Sequence, residues 1–158
     1  MLKRYRQNRK EPMPKAQETV LEINLDDLTS NFNYLKSRID KDTLFMAVVK
    51  AFAYGSDARE IPMHLQNLGV DYFAVAYTHE GIALRDSGIT KPILVLHPQP
   101  VNYKSLNEHC LEPSLYNPKD LKEFINVAIQ EGQKEYPVHI KIKTGLNRHG
   151  IWENEEDY

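Results

Sequence analysis

The sequence predicts an α/β fold: a parallel sheet curled as part of a (β/α)8 TIM-type barrel. Short apolar runs at residues 44–49, 72–76, 93–96, 114–116 and 138–142 recur at about 20–30-residue intervals, the length of a strand plus a covering helix. Most are continuous rather than alternating, as strands buried on both faces must be. The first strand-to-helix turn, after Val49, holds only Gly55 and lacks the glycine fingerprint of a dinucleotide-binding sheet, which favours the barrel. A barrel closes with eight strands, and about five are present here.

The elements follow in order. Residues 19–24 (TVLEIN) alternate apolar with polar and read as a half-buried strand. Leu25, Leu28, Phe32, Leu35 and Ile39 recur at helical spacing, with Asp26 and Asp27 where the helix dipole favours negative charge. After the strand at 44–49, Lys50 leads into Ala51-Phe52-Ala53-Tyr54, which reads as a helix. Ile61, Leu65 and Leu68 line the next helix, and Gly69 stops it. Thr78 opens a short helix that closes near Gly88. Asn117 and Pro118 suit the cap and first turn of a helix carrying Leu121, Phe124, Ile125 and Ala128 inward.

The chain has 158 residues, 41% hydrophobic and 27% charged, enough for one buried core. A net charge of -2 offers no electrostatic basis for binding nucleic acid or an anionic membrane. Residues 1–17, with Lys3, Arg4, Arg6, Arg9 and Lys10 crowded together and Pro12 and Pro14 following, read as a basic arm or linker. Residues 18–158 form the barrel domain. No apolar region suited to a secretory leader follows the basic start, and residues 44–49 are too few to cross a bilayer. Cys110 is the lone cysteine, which suits a reducing compartment, so a cytoplasmic location is expected. His64, His79 and His97 lack metal-ligand spacing, and no metal is expected.

Ligands of parallel α/β folds bind at the carboxyl ends of the strands, where Lys50 stands. An amine desolvated there by Met46, Val48 and Phe52 would be nucleophilic toward a carbonyl. Position alone more often means a lysine that extends its charge into solvent. Its neighbours reverse that balance. Ala-Val-Val-Lys-Ala-Phe-Ala-Tyr-Gly at residues 47–55 resembles the pyridoxal 5'-phosphate attachment motif of the alanine racemase family. LEINLDDLTSN at 21–31, DYFAVAYTHEGIALRDSGI at 71–89, PILVLHP at 92–98 and VHIKIKTGLNRHG at 138–150 resemble the family's opening strand and helix and its second, third and fifth repeats.

The resemblance implies that pyridoxal 5'-phosphate is carried covalently on Lys50, which also serves as one of two bases at the α-carbon of alanine. It implies that the Tyr54 hydroxyl contacts the cofactor phosphate and that Arg148 approaches its phenolic oxygen. Lys141 matches a lysine that some members carbamylate to orient that arginine; it reads equally well as an exposed strand lysine. The implied activity is interconversion of L- and D-alanine, supplying D-alanine for peptidoglycan. Family members are homodimers whose second base, a tyrosine, comes from the partner's C-terminal β domain.

Several positions depart from the pattern. Phe52 replaces a small polar residue, Ser56-Asp57 replaces His-Gly, and Lys143 replaces an aspartate, adding positive charge beside Lys141 and Arg148. The wording around Phe52 resembles a branch in which the racemase follows a muramoyl-peptide ligase, which would make the basic start an interdomain linker. The chain ends at Tyr158, soon after the fifth strand, so a fragment lacking the last three strands and the β domain is expected. Two other readings stay open: a non-catalytic carrier of pyridoxal phosphate, and a truncated gene product without a stable fold. Glu80 reads as capping charge, Tyr77 as pocket wall or core, and Trp152 with the acidic residues 153–157 as a cut end.

Overall fold

The computed structural model describes residues 20–152; the basic arm and the acidic end lie outside them. A first helix, α1 (Leu25–Lys36), precedes β1 (Met46–Val48), α2 (Lys50–Gly55), α3 (Glu60–Asn67), β2 (Tyr72–Val75), α4 (Thr78–Asp86) and β3 (Ile93–Val95). A 3-10 turn (Pro100–Asn102), α5 (Tyr103–Glu108), β4 (Glu112–Leu115), α6 (Pro118–Gln130) and β5 (His139–Ile140) follow. The strands form one parallel sheet in the order β1-β2-β3-β4-β5. The expected α/β class, strand number and parallel direction are all observed.

Register sorts the strand residues onto two faces. Ala47, Phe73 and Ile93 form one row and Val75 and Val95 another, all buried toward the helices. Phe32 of α1, Leu65 of α3, Leu84 of α4, Leu106 of α5 and Phe124 of α6 complete that core. Tyr103, Phe124 and Tyr136 pack edge-to-face, at 5.3 and 5.4 Å between ring centres. Burial pushes the Tyr136 phenol upward in pKa, and its hydroxyl donates to the Leu111 and Leu106 carbonyls at 2.8 and 3.3 Å. Arg85 ties the amino side of the sheet together, donating to the carbonyls of Ile89, Lys91, His109 and Cys110 at 2.6 to 3.1 Å.

The other face is concave. Tyr72 of β2, Glu112 of β4 and His139 of β5 meet there: His139 Nε2 lies 2.9 Å from Glu112 Oε2 and 3.1 Å from the Tyr72 hydroxyl, which also bonds Glu112. In a flat sheet β2 and β5 would stand about 14 Å apart, three strand spacings. Their side chains touch because the sheet curls, as a barrel wall does.

Several expectations need correction. Residues 20–24 form no strand: Val20 and Leu21 are exposed, and Asn24 instead caps α1 by accepting from the Asp26 and Asp27 amides. Alternation alone makes no strand where no neighbouring edge offers ladder bonds. Leu35 and Ile125 face solvent, because single helices bury only the part of their apolar stripe that meets the sheet; Phe32, Phe124 and Ala128 hold those contacts. The fifth strand is shorter than residues 138–142, with Ile142 reduced to a single bridge to Ile151.

Asp71 pins the entry to β1. Its carboxylate accepts the Phe45 amide at 2.7 Å and pairs with Lys36 at 3.3 Å, and these contacts, the amide first, hold its pKa below the usual 3.8 against a partly opposing desolvation. A depressed carboxylate stabilises the fold above its unfolded value, and that contribution fades as pH falls below about 4. Asp71→Asn should therefore lower the melting temperature near neutrality while flattening the acid side of the stability profile. Equal melting-temperature losses at pH 7 and pH 3 would contradict this role.

Candidate active site

Because the strands are parallel, their carboxyl ends share one rim, and the turn that follows each strand lines it. Lys50 opens the turn after β1, Tyr77 follows β2, His97 follows β3, Tyr116 follows β4, and Lys141 follows β5. Arg148 lies further on, in the loop from Lys143 to Gly150. Lys50 and Lys141 thus sit at opposite edges of the sheet, and its curvature turns both edges toward one mouth. Among the described residues none of the Lys50, Tyr54, Lys141 and Arg148 side chains has a polar partner.

The turn after Lys50 differs from expectation. Ala51, Phe52, Ala53 and Tyr54 have φ of 50 to 58° and ψ of 39 to 55°, a left-handed rather than right-handed helical turn. This conformation costs about 1–2 kcal/mol per L-residue, and such strain persists only where surrounding contacts impose it. Backbone bonds do so here: the Val49 amide closes the ladder to the Ala74 carbonyl at 2.9 Å, and the Ala53 amide donates to the Val49 carbonyl at 3.1 Å. The Ala51 amide donates to Glu80 Oε1 at 2.7 Å. Helix propensity could not foretell this, because one of the turn's partners lies 29 residues away. Relief of strain at an exposed site predicts that Ala51→Gly raises stability by up to about 1 kcal/mol after glycine's entropic cost, read as a higher melting temperature. A fall on thermal unfolding would contradict the strain.

The expectation that Met46, Val48 and Phe52 desolvate Lys50 is not met, because they do not close over it. They are 39%, 40% and 74% exposed. Met46 and Val48 lie on the concave face at an edge of the sheet, where no further strand covers them. Tyr54 is likewise 68% exposed. Asp57, one of the departures from the family pattern, caps α3 by accepting from the Arg59 and Glu60 amides at 2.9 Å.

An aromatic row along the rim escaped the sequence reading. His97 and Tyr116 share a 2.9 Å hydrogen bond and stack with ring centres 5.9 Å apart. His149 lies against both, 5.5 Å from His97 and 4.8 Å from Tyr116, and Tyr77 meets His97 edge-on at 5.7 Å. The signal was positional: Tyr77 and His97 come directly after apolar runs, and Tyr116 ends one. His149 neighbours Arg148, so its packing docks the arginine's loop on the rim. The loop closes where the Lys143 amide donates to Ile151 and the Ile151 amide to Lys141, at 2.8 and 2.9 Å. Lys143 places its ammonium 4.4 Å from the centre of the Trp152 ring, a cation–π contact. His64 has a structural contact instead, 2.7 Å from the Thr29 hydroxyl of α1.

Comparison with known proteins matches residues 23–157 to the family described as alanine racemase, N-terminal domain. The chain belongs to the alanine racemase family. Alanine racemase 1 of Caldanaerobacter subterraneus subsp. tengcongensis is 39% identical over 133 residues, 84% of this chain and 34% of its own length. Alanine racemase 2 of Oceanobacillus iheyensis is 38% identical over 140 residues, 88% of this chain and 36% of its own. Among solved structures, alanine racemase from Clostridium difficile 630 superposes with a TM-score of 0.81 at 37% identity, over 85% of this chain and 35% of that one. The five strands therefore correspond to the N-terminal barrel part of alanine racemases, and the chain spans about a third of the length of the relatives it matches. Among the described residues, no helix is long and apolar enough to cross a membrane.

Proposed function

We propose that residues 18–158 are the cofactor-binding barrel portion of an alanine-racemase-type enzyme acting at the α-carbon of alanine, with pyridoxal 5'-phosphate attached at Lys50. The observation that carries this reading is Lys50 itself: a strand-end lysine at the ligand-binding rim, without a polar partner among the described residues, directly before a strained turn. The donor set fits the cofactor's chemistry. Its aldehyde needs an amine, its phosphate a hydroxyl or cation, and its phenolic oxygen a donor; Lys50, Tyr54 and Arg148 offer these groups without committed partners.

Pyridoxal phosphate, when bound, supplies the electron sink that makes the α-proton of an amino acid removable. This chain's residues then have separate tasks. The Lys50 amine, when neutral, takes the α-proton from one face and, as the ammonium so formed, can return it to that face. The Tyr54 hydroxyl donates to a phosphate oxygen, and the Arg148 guanidinium to the phenolic oxygen. Lys141 repels a nearby Arg148 while it remains a cation; as a carbamate it would become an anion able to hold the arginine through a charge-assisted pair.

Racemisation needs a second base on the opposite face, which we assign to a partner subunit of a homodimer. The Bacillus anthracis relative, at 32% identity and a TM-score of 0.79, was solved with bound L-Ala-P, in line with an alanine-type substrate. A cytoplasmic enzyme supplying D-alanine for peptidoglycan is the corresponding cellular role.

Exchange of the α-hydrogen in heavy water tests the reading. With pyridoxal phosphate added, the chain should exchange one enantiomer of alanine much faster than the other, since Lys50 serves a single face. Exchange of neither enantiomer above a cofactor-only control would contradict it.

A further inference from the structure

We propose that Glu80 is a positioning residue for Lys50: its carboxylate ties the turn after β1 to the turn after β2 and holds the lysine in its strained setting. The inference rests on the reading of Lys50 as the cofactor's attachment point. Glu80 stands in the first turn of α4, and both its oxygens are occupied. Oε2 accepts the Ala76 and Tyr77 amides at 2.7 and 3.0 Å, an ordinary capping arrangement. Oε1 reaches across to the Ala51 amide at 2.7 Å, the residue next to Lys50. A group that only capped α4 would have no need of the second bond.

Packing holds the turn through a single residue. Ala53 is the buried residue of the left-handed turn, while Phe52 and Tyr54 project outward. Behind the turn lies a pocket of about 130 Å³, lined by Val49, Phe52, Val75, Glu80 and Leu84 among others. Beside the Ala53 contact, the turn is joined to β2 by the Val49 amide bond to Ala74 and to α4 by the Glu80 carboxylate. Backbone N–H groups bound to a carboxylate form strong, charge-assisted bonds. Removal of the clamp leaves four L-residues free to relax out of the left-handed region, and the Lys50 amine moves with them. Glu80 touches no reacting atom; it acts through Ala51.

The test uses the chain with Glu80→Ala and Glu80→Gln, and Leu65→Ala as a core variant whose stability loss serves as the comparison. Amide hydrogen exchange without cofactor should show the Ala51 amide exchanging at least tenfold faster in Glu80→Ala, with β2 amides such as Phe73 unchanged. The concentration of pyridoxal phosphate that half-labels Lys50 under borohydride should rise at least tenfold. Glu80→Gln, which keeps one acceptor oxygen but loses the other and the charge, should fall between. Unchanged Ala51 exchange and unchanged half-labelling in Glu80→Ala would overturn the proposal. So would equal changes in Leu65→Ala at a matched loss of melting temperature. If wild-type Lys50 takes no label at any concentration, the cofactor reading fails on its own, and the Ala51 exchange still decides whether Glu80 clamps the turn.

Discussion

Lys50→Ala is expected to abolish α-hydrogen exchange with alanine, a loss of about 10²–10⁴-fold for a proton-transfer group of this kind, while the fold survives. Lys50 is half-buried and has no polar partner among the described residues, so its truncation breaks no bond of the fold. The backbone bonds that shape its turn, Ala53 to Val49 and Ala51 to Glu80, do not involve the side chain. A melting temperature near that of the parent protein, within about 0.5 kcal/mol in stability, would separate chemistry from folding. A variant that retains exchange would remove Lys50 from the mechanism. Lys50→Arg should also fail, because a guanidinium stays protonated and cannot serve as base.

Gly150→Ala is expected to have the largest structural effect at the site. Gly150 has φ +138°, a conformation that L-residues rarely adopt. An added Cβ would lie 3.0 Å from the Lys143 amide nitrogen and 3.1 Å from both the Ile142 carbonyl carbon and the Lys141 carbonyl oxygen. These are backbone atoms of the segment that bears Lys141, so no flexible side chain can give way. The cost should be about 1–3 kcal/mol, concentrated in the bridge between Ile142 and Ile151. Gly132→Ala is the comparison: it too has positive φ, at 74°, but its Cβ meets nothing within 4 Å. Faster exchange of the Lys143 and Ile151 amides, with weaker cofactor retention through displaced Arg148, should accompany Gly150→Ala and be absent from Gly132→Ala. Equal effects of the two would mean that crowding at Gly150 is irrelevant.

The parts of the fold legible from sequence were those encoded locally. Ile93, Leu94 and Val95 could be read as a buried strand because both faces are apolar, and Asn117-Pro118 marked a helix start that the Asn117 side chain does make, accepting the Asp120 amide at 2.8 Å. What depended on distant partners was hidden. The left-handed turn after Lys50 is bonded to Glu80 and to the β1–β2 ladder, whereas its alanines speak only of ordinary helix. Residues 20–24 carry a strand's alternation without an edge to join. The placement of Lys50, Tyr54, Lys141 and Arg148 on one rim follows from parallel topology and was foreseeable. The row of Tyr77, His97, Tyr116 and His149 was not, since ring stacking between three successive strand ends and a loop residue leaves no spacing signature. Lys143 looked like an added repulsive charge beside Arg148; its contact with Trp152 gives that charge a different neighbour.

The most direct measurement is borohydride reduction of the purified chain with pyridoxal phosphate, followed by peptide mapping of every labelled lysine. At limiting cofactor the label should fall on the peptide containing Lys50 and vanish from it in Lys50→Ala. Label spread over surface lysines with Lys50 spared would contradict the assignment of this lysine as the cofactor's anchor.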